Sequence, residues 1–461
     1  MAKTAKLNLF DFTMIVVGLV IGMGIFRTPL NTVKASPTPF LFFAVWIAGG
    51  VIALCGALTY AEIGSRLPVT GGYYKVFSYA YHPSIAFGVN CLILVSNAAS
   101  LAGVAIVGAE YMTGIVVPAS REAAYMEVAA HAQHVQALQN GMAIGAILIF
   151  YGINLLGLKM SARTQNVLTV IKIGLILLLV TPLFFNTHTA VATAAVPVPA
   201  EHSFHFMDYL KAFGIALVPV SFTYGGYQQT INFGGDVERA NKNLPRGIFL
   251  GIFIIISLYL CINYAYIHVI GFEEMKNSRN IAAIMASHIF GANAERILSV
   301  LLFLSVLAYV NVLLLSNPRV MCAMSEDNIL PGAFGRRHPN TGVLTISLTV
   351  FAVLSALIVF WAKEFDTILS FSIFLDCFGM ILSVGSIFVL RRKLAQQGRE
   401  DIFKMKGYPL QPLVFIAAYI FIAISLLINE TKLSLTGLAV LAGFIGLYFL
   451  LQQLKPGKQK Q

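Results

Sequence analysis

Apolar stretches of about twenty residues or more recur along the whole chain, over residues 10–34, 39–65, 84–116, 141–158, 164–186, 208–234, 246–271, 294–325, 343–362, 366–390, 410–429 and 434–452. No other feature limits the fold as severely. In hydrocarbon each unpaired backbone group costs several kcal/mol, and only helices or closed barrels pair them all. A core about 30 Å thick takes roughly 20 helical residues but only about 10 residues of tilted strand, so stretches of this length are helices. The sequence therefore predicts an all-α polytopic membrane protein with about twelve transmembrane helices. Composition agrees, since 58% of the 461 residues are hydrophobic and only 11% are charged.

A formal net charge of +11 raises the question of an acidic partner, and its distribution answers it. With the N-terminus inside, 21 of the 31 Lys and Arg residues fall on the inward side, 8 fall outward, and Arg27 and Lys172 lie within spans. That asymmetry orients a membrane protein and predicts both termini in the cytoplasm, with the spans in the plasma (inner) membrane. Lipid, not nucleic acid, is the partner it implies. All five cysteines fall inside spans, which indicates neither a disulfide framework nor a metal or cofactor site. The first apolar segment is too long for a cleaved signal and is expected to remain as span one. No linker divides the chain, so residues 1–461 read as one domain, with a polar, Ala-rich loop at 118–140 suited to a short interfacial helix and an irregular loop at 185–206.

Two spans are weakened from within. The run IVVGLVIGMGIFRTP, residues 15–29, carries Gly18, Gly22, Gly24, Arg27 and Pro29, and VSFTYGGYQQTINFGGDVERANKNLP, residues 220–245, places Gly225 and Gly226 mid-span. Glycine also serves close helix packing, but interruptions in corresponding positions of two halves point to a midplane binding site. The interruptions fall in spans one and six. They stand five spans apart, and that odd offset inverts one half relative to the other, as an inverted five-plus-five repeat requires.

Five segments carry a resemblance: GLVIGMGIFRTP, LTYAEIGSRLPVTGGYYKV, NVLTVIKIGLIL, FTYGGYQQTINFGGDVERANKNLPRGI and NPRVMCAMSEDNILP. They resemble the amino acid, polyamine and organocation transporter superfamily, nearest its L-type amino acid transporter branch. The resemblance implies a LeuT-type fold, with residues 10–186 as the first inverted repeat, 208–390 as the second and 410–452 as two added spans. It implies a sodium-independent carrier of neutral L-amino acids working by alternating access, as a proton symporter or an exchanger. A cationic amino acid or polyamine exchanger is the alternative within the superfamily. Animal L-type relatives pair with a glycoprotein through a cysteine in the loop between spans three and four; residues 118–140 hold no cysteine, so no disulfide-linked heavy chain is expected.

The implied substrate site consists of Ile21, Gly22, Met23 and Gly24 in span one and Phe222, Thr223, Tyr224, Gly225 and Gly226 in span six. A broken helix presents free amides at the start of its second half and free carbonyls at the end of its first. The amides of Gly22, Met23 and Gly24 suit a carboxylate, and the carbonyls of Phe222, Thr223 and Gly225 suit an ammonium. Phe222 would also cover the substrate. Many relatives have Ser where Met23 stands, which removes one side-chain hydroxyl but no amide. Gly225 and Gly226 leave space for a medium or large side chain unless other spans refill it.

Two ionisable residues lie deep in spans, where a charge is costly and usually functional. Lys172 matches the lysine that replaces a sodium ion in sodium-independent relatives, where it would brace carbonyls near Gly18 and the hydroxyl of Ser305; the plain alternative is snorkelling to the surface. Asp376 in span ten stands where L-type relatives often have Asn, and it suits contact with the substrate ammonium, proton exchange, or an internal hydrogen bond. Glu62 and Arg66 read as an i, i+4 ion pair. The loops DVERANKNLPRG and RRHPNTG are expected to cap helices and close a cytoplasmic gate.

Rival functions find less support. The chain has no H-E-x-x-H, G-x-S-x-G or Walker A pattern for an enzyme and no T-V-G-Y-G filter for a channel. A sensor that binds an amino acid without carrying it stays open.

Overall fold

The computed structural model describes residues 6–116, 129–184, 205–278, 281–361, 365–394 and 402–454. The first span is two helices, α1 (Leu9–Val20) and α2 (Gly24–Ala35). The second is α3 (Pro39–Arg66), followed by a short helix α4 (Gly72–Ala80) and then the long α5 (Pro83–Val116). The capping residues are those the sequence supplies: Asn8 accepts from the Asp11 amide at 2.8 Å, and Thr38 accepts from Leu41 at 3.2 Å with Pro39 at the helix start. Such caps satisfy amides that have no partner within the helix, and proline there forgoes an N–H that would be unpaired anyway.

The chain continues through α6 (Ala129–Leu155), α7 (Leu158–Val180) and α8 (Phe206–Tyr224). A 3-10 turn, Tyr227–Asn232, leads to α9 (Ala240–Val269), two short helices α10 (Phe272–Asn277) and α11 (Ile281–Phe290), and α12 (Ala294–Glu326). The last four are α13 (Thr345–Trp361), α14 (Phe365–Leu394), α15 (Leu410–Asn429) and α16 (Thr431–Leu454). Among the described residues 11 helical spans are long and apolar enough to cross a membrane, and α13 contributes a shorter apolar helix. This all-α polytopic architecture is the one expected.

Some local expectations change. Residues 129–140 do not form a separate interfacial helix; they are the first turns of α6, because this Ala- and Gln-rich stretch has no breaker before the apolar run. The rest of the expected loop helix lies outside the described residues, as does nearly all of 185–206. Helices α4, α10 and α11 escape a reading tuned to spans because they are too short to cross lipid.

Helix α1 packs on α9 and α7, α2 on α8, and α12 on α5 and α7, so both halves of span one sit inside the bundle. Large apolar side chains on outer faces are the complement: Phe40 is 82% exposed and Ile428 73%. In water such a surface would be a liability, whereas in lipid it is the solvated face.

One end of the bundle is sealed by polar contacts. Leu7 pairs with the chain beside α9, its amide donating to the Asp236 carbonyl at 2.8 Å and its carbonyl accepting from Glu238 at 2.9 Å. Asp236 accepts from Arg319 of α12 at 2.7 Å, and Arg319 also stacks on Phe233 and donates to the Leu315 carbonyl. Lys75 of α4 meets Asp327 at 2.5 Å. Glu62, fully buried, forms the expected pair with Arg66 and also binds Arg391 of α14 and the Met405 amide. This end carries the loops expected to face inward.

Candidate functional site

The first span loses its helix at residues 21–23, where Ile21 turns extended with ψ of 96°. The amides of Gly22, Met23 and Gly24 donate to no carbonyl or side chain among the described residues. They stand at the start of α2, where the helix dipole adds partial positive charge. At the second interruption α8 ends at Tyr224, Gly225 is extended, and Gly226 takes φ of +107°, which side chains rarely adopt. Phe222 and Thr223 carbonyls accept from the Gly225 amide and the Tyr259 hydroxyl at 2.9 and 3.2 Å, each keeping a second lone pair, and the Gly225 carbonyl has no partner among the described residues.

The two interruptions touch. A Cβ on Gly226 would collide with the Leu19 carbonyl, so that position needs glycine for backbone approach, and one on Gly24 would stand 2.7 Å from the Thr223 hydroxyl, so Thr223 packs directly on its bare backbone. Tyr259 of α9 ties them, its hydroxyl facing the Val20 carbonyl at 3.3 Å and the Thr223 carbonyl at 3.2 Å. Thr223 also donates to the Thr28 hydroxyl at 2.7 Å. Residues of both interruptions thus border one shared space.

That space is a cavity of about 50 Å³. Gly22, Met23, Gly24, Phe222, Thr223, Gly225, Gly226 and Asp376 line it. Ile21, Tyr224, Gly18, Lys172 and Ser305 do not. Tyr224 turns instead onto Trp46 and Tyr259, with ring centroids 5.9 and 5.1 Å away. The space directly beside Gly226 is taken by the Leu19 backbone and that beside Gly225 by the carbonyls of Ser221 and Phe222, while Tyr309 and Tyr419 are among the cavity's other walls.

Sequence reasoning missed the third wall of the cavity. On α5, Ser96 donates to Asp376 at 3.4 Å, Asn97 accepts from Gln229 at 3.0 Å, and Ser100 pairs with the Tyr309 hydroxyl at 3.0 Å. The signal was present, since a run of uncharged polar residues at helical spacing inside a span is itself unusual. Without a charge it did not stand out.

Lys172 is fully buried, and its ammonium donates to the carbonyl of Ile21, the residue at which α1 gives out. Snorkelling does not describe it. The contact falls three residues beyond Gly18, whose face is covered by Gln165 and Thr169 of α7, and the buried Ser305 hydroxyl has no hydrogen-bond partner among the described residues. Among the described residues no group of three or more His, Cys, Asp or Glu side chains could hold a metal ion.

Known proteins match this sequence along nearly its whole length. The chain is 27% identical over 443 residues to a serine/threonine exchanger, SteT, of Bacillus subtilis, covering 95% of this chain and 94% of that one. It is 26% identical to the branched-chain amino acid permease BcaP of Bacillus subtilis over 91% of this chain and 88% of that one. The human large neutral amino acids transporter small subunit 2 is 24% identical, over 97% and 81% respectively. The family model described as amino acid permease matches residues 7–449. A bundle of apolar helices with two interrupted spans around a central cavity, matched from end to end by that model, belongs to the amino acid permease family.

Proposed function

We propose that the protein carries neutral L-amino acids across the plasma membrane by alternating access, without sodium. The observation that carries this reading is that Gly22, Met23 and Gly24, whose amides have no partner among the described residues, line one cavity with Phe222, Thr223 and Gly225, at the carbonyl end of α8. That polarity matches a zwitterion, carboxylate to the first span and ammonium to the second. Two inverted repeats, 10–186 and 208–390, with both termini cytoplasmic, are the framework this reading assumes, and the excess of Lys and Arg at the sealed end supports that orientation. A single chain suffices in it, with no disulfide-linked partner.

Lys172 supports sodium independence. Its ammonium lies at the end of α1, where it does the work of a bound cation by satisfying a carbonyl freed by the interruption. Asp376 is the candidate coupling group: protonated on one side of the membrane and released on the other, it would link amino acid movement to protons. Exchange of one amino acid for another is the other coupling compatible with the site. A second reading, a cationic amino acid or polyamine exchanger, draws on the same carboxylate.

The test is uptake of all twenty amino acids by purified, reconstituted protein under imposed sodium and proton gradients. Neutral amino acids should accumulate, sodium should have no effect, and arginine and lysine should not compete. Under proton coupling, uptake rises as external pH falls, and Asp376→Asn flattens that profile. A flat profile in the unmodified protein, with uptake dependent on internal amino acid, assigns exchange instead. Sodium-driven accumulation removes Lys172 from the role given to it.

A further inference from the structure

We infer that the sealed end carries a second, regulatory amino acid site, which takes a zwitterion with an apolar side chain between Asp236 and Arg337 and holds that end shut. It goes beyond transport, and rests on the reading above for the side of the membrane this end faces.

The site is a cavity of about 460 Å³, against about 50 Å³ for the central one. Pockets for small molecules generally run to about 300–1,000 Å³. The two cavities share no lining residue: Tyr309 of α12 borders the central one, whereas Leu314 and Leu315 of α12 border this one. Leu158 of α7 and Leu348 of α13 extend its apolar wall. His338 and Asn340, both exposed, form a polar rim through which a ligand enters from water.

The charges along this cavity are incompletely paired. Asp236 commits Oδ2 to Arg319 Nε at 2.7 Å, while its Oδ1 stands 4.0 Å from Arg337 Nη1, beyond hydrogen-bond reach. Arg337 makes no hydrogen bond among the described residues. Both side chains line the cavity and both keep accessible surface, 12% for Asp236 and 38% for Arg337. A carboxylate oxygen and a guanidinium that stop short of each other suit a bridging group, which gives an ammonium to the first and a carboxylate to the second. A simple anion would set its charge against Asp236, and a simple amine would meet Arg319 and Arg337. An α-amino acid satisfies both, because its two charges lie one carbon apart, and the leucine wall then receives an apolar side chain.

The position gives the site its effect. Asp236 belongs to the segment that pairs with Leu7, and Arg337 follows α12, so a ligand joining them adds a second link beside Asp236–Arg319 across the sealed end. A ligand that fits the closed arrangement better than the open one shifts the equilibrium toward closure. Amino acid accumulating on this side would thereby slow its own further entry.

Equilibrium binding of radiolabelled leucine to the purified full-length protein tests this. Arg337→Gln should weaken one class of leucine site by about tenfold or more, and Arg337→Lys, which keeps the cation, should retain part of it. 4-Methylpentanoate and 3-methylbutylamine each lack one of leucine's charges and should not displace it from that site. Leucine applied at the sealed end should also slow thiol labelling of a Ser100→Cys variant, and adding Arg337→Gln should remove that protection. Absence of leucine binding, binding indifferent to Arg337→Gln, or displacement by either single-charge analogue overturns the inference and leaves the transport reading to the uptake panel. An Arg337-dependent leucine site in a protein that carries no amino acid overturns the transport reading alone.

Discussion

Glu62, at the sealed end, takes five hydrogen bonds from Arg66, Arg391 and the Met405 amide. Among the described residues Asp376, midway along the bundle, takes one at 3.4 Å, and Gln229 Oε1 and Ser221 Oγ, from residues lining the same cavity, take none. Both regions are buried and both are polar, so composition does not separate them. Satisfaction does. A buried carboxylate whose lone pairs are all occupied is a strut, because removing any donor leaves a charge uncompensated. A group left short of partners in a cavity is poised for something that comes and goes.

Lys172 offers the most severe way to break that comparison, because it belongs to neither type. It is a buried charge with one described partner, and that partner is itself a product of the interruption at Ile21. Lys172→Met keeps the bulk and removes the cation. Transport should fall to background, on the order of a hundredfold or more, which corresponds to roughly 3 kcal/mol at about 1.4 kcal/mol per factor of ten. The check is uptake alongside detergent gel filtration, so that a folded but inactive protein is distinguished from a lost one. Normal uptake would mean the freed carbonyl needs no counter-charge.

Asp236→Asn probes the strut side. Arg319 is 9% exposed and Asp236 12%, and their 2.7 Å contact joins α12 to the chain that also pairs with Leu7. Removing one partner of a buried pair typically costs about 3–5 kcal/mol. Spent on the seal and not on the fold, that loss opens the end of the bundle. A cysteine introduced at Ser100 should then react faster with a thiol reagent applied from that side. Unchanged labelling with unchanged thermal stability would show that the seal is held elsewhere.

How far the sequence reached depended on charge and period. The spans were legible because lipid imposes length, and the interruptions because glycine pairs inside apolar runs have few uses. Lys172 and Asp376 were legible as ions where ions are costly. The amides were not: Asn97, Gln229 and Asn317 come from three different spans, and their meeting is a property of packing that no local pattern encodes. Glu62 was read with the partner its own helix supplies, Arg66, while Arg391 lies 329 positions away. The close seat of Leu19 against Gly226, and of Tyr309 and Tyr419 in the cavity wall, was hidden for the same reason, since they come from other parts of the chain.

Lys75→Ala is the smallest test and the one that separates burial from mere pairing. Lys75 meets Asp327 at 2.5 Å and Glu326 at 3.5 Å, at the same end as the Asp236 pair. By distance it is the tighter contact. Its carboxylate partners, however, are 33% and 52% exposed, so water screens the attraction and rehydrates the groups once the pair is cut. Exposed pairs contribute about 0–1 kcal/mol. The variant should therefore shift thermal stability by only a degree or two and leave labelling at position 100 within about twofold of the unmodified protein, equivalent to under 1 kcal/mol. An effect as large as that of Asp236→Asn would show that closure of this end follows the number of ion pairs and not their desolvation, and the distinction between the sealed end and the cavity would need another physical basis.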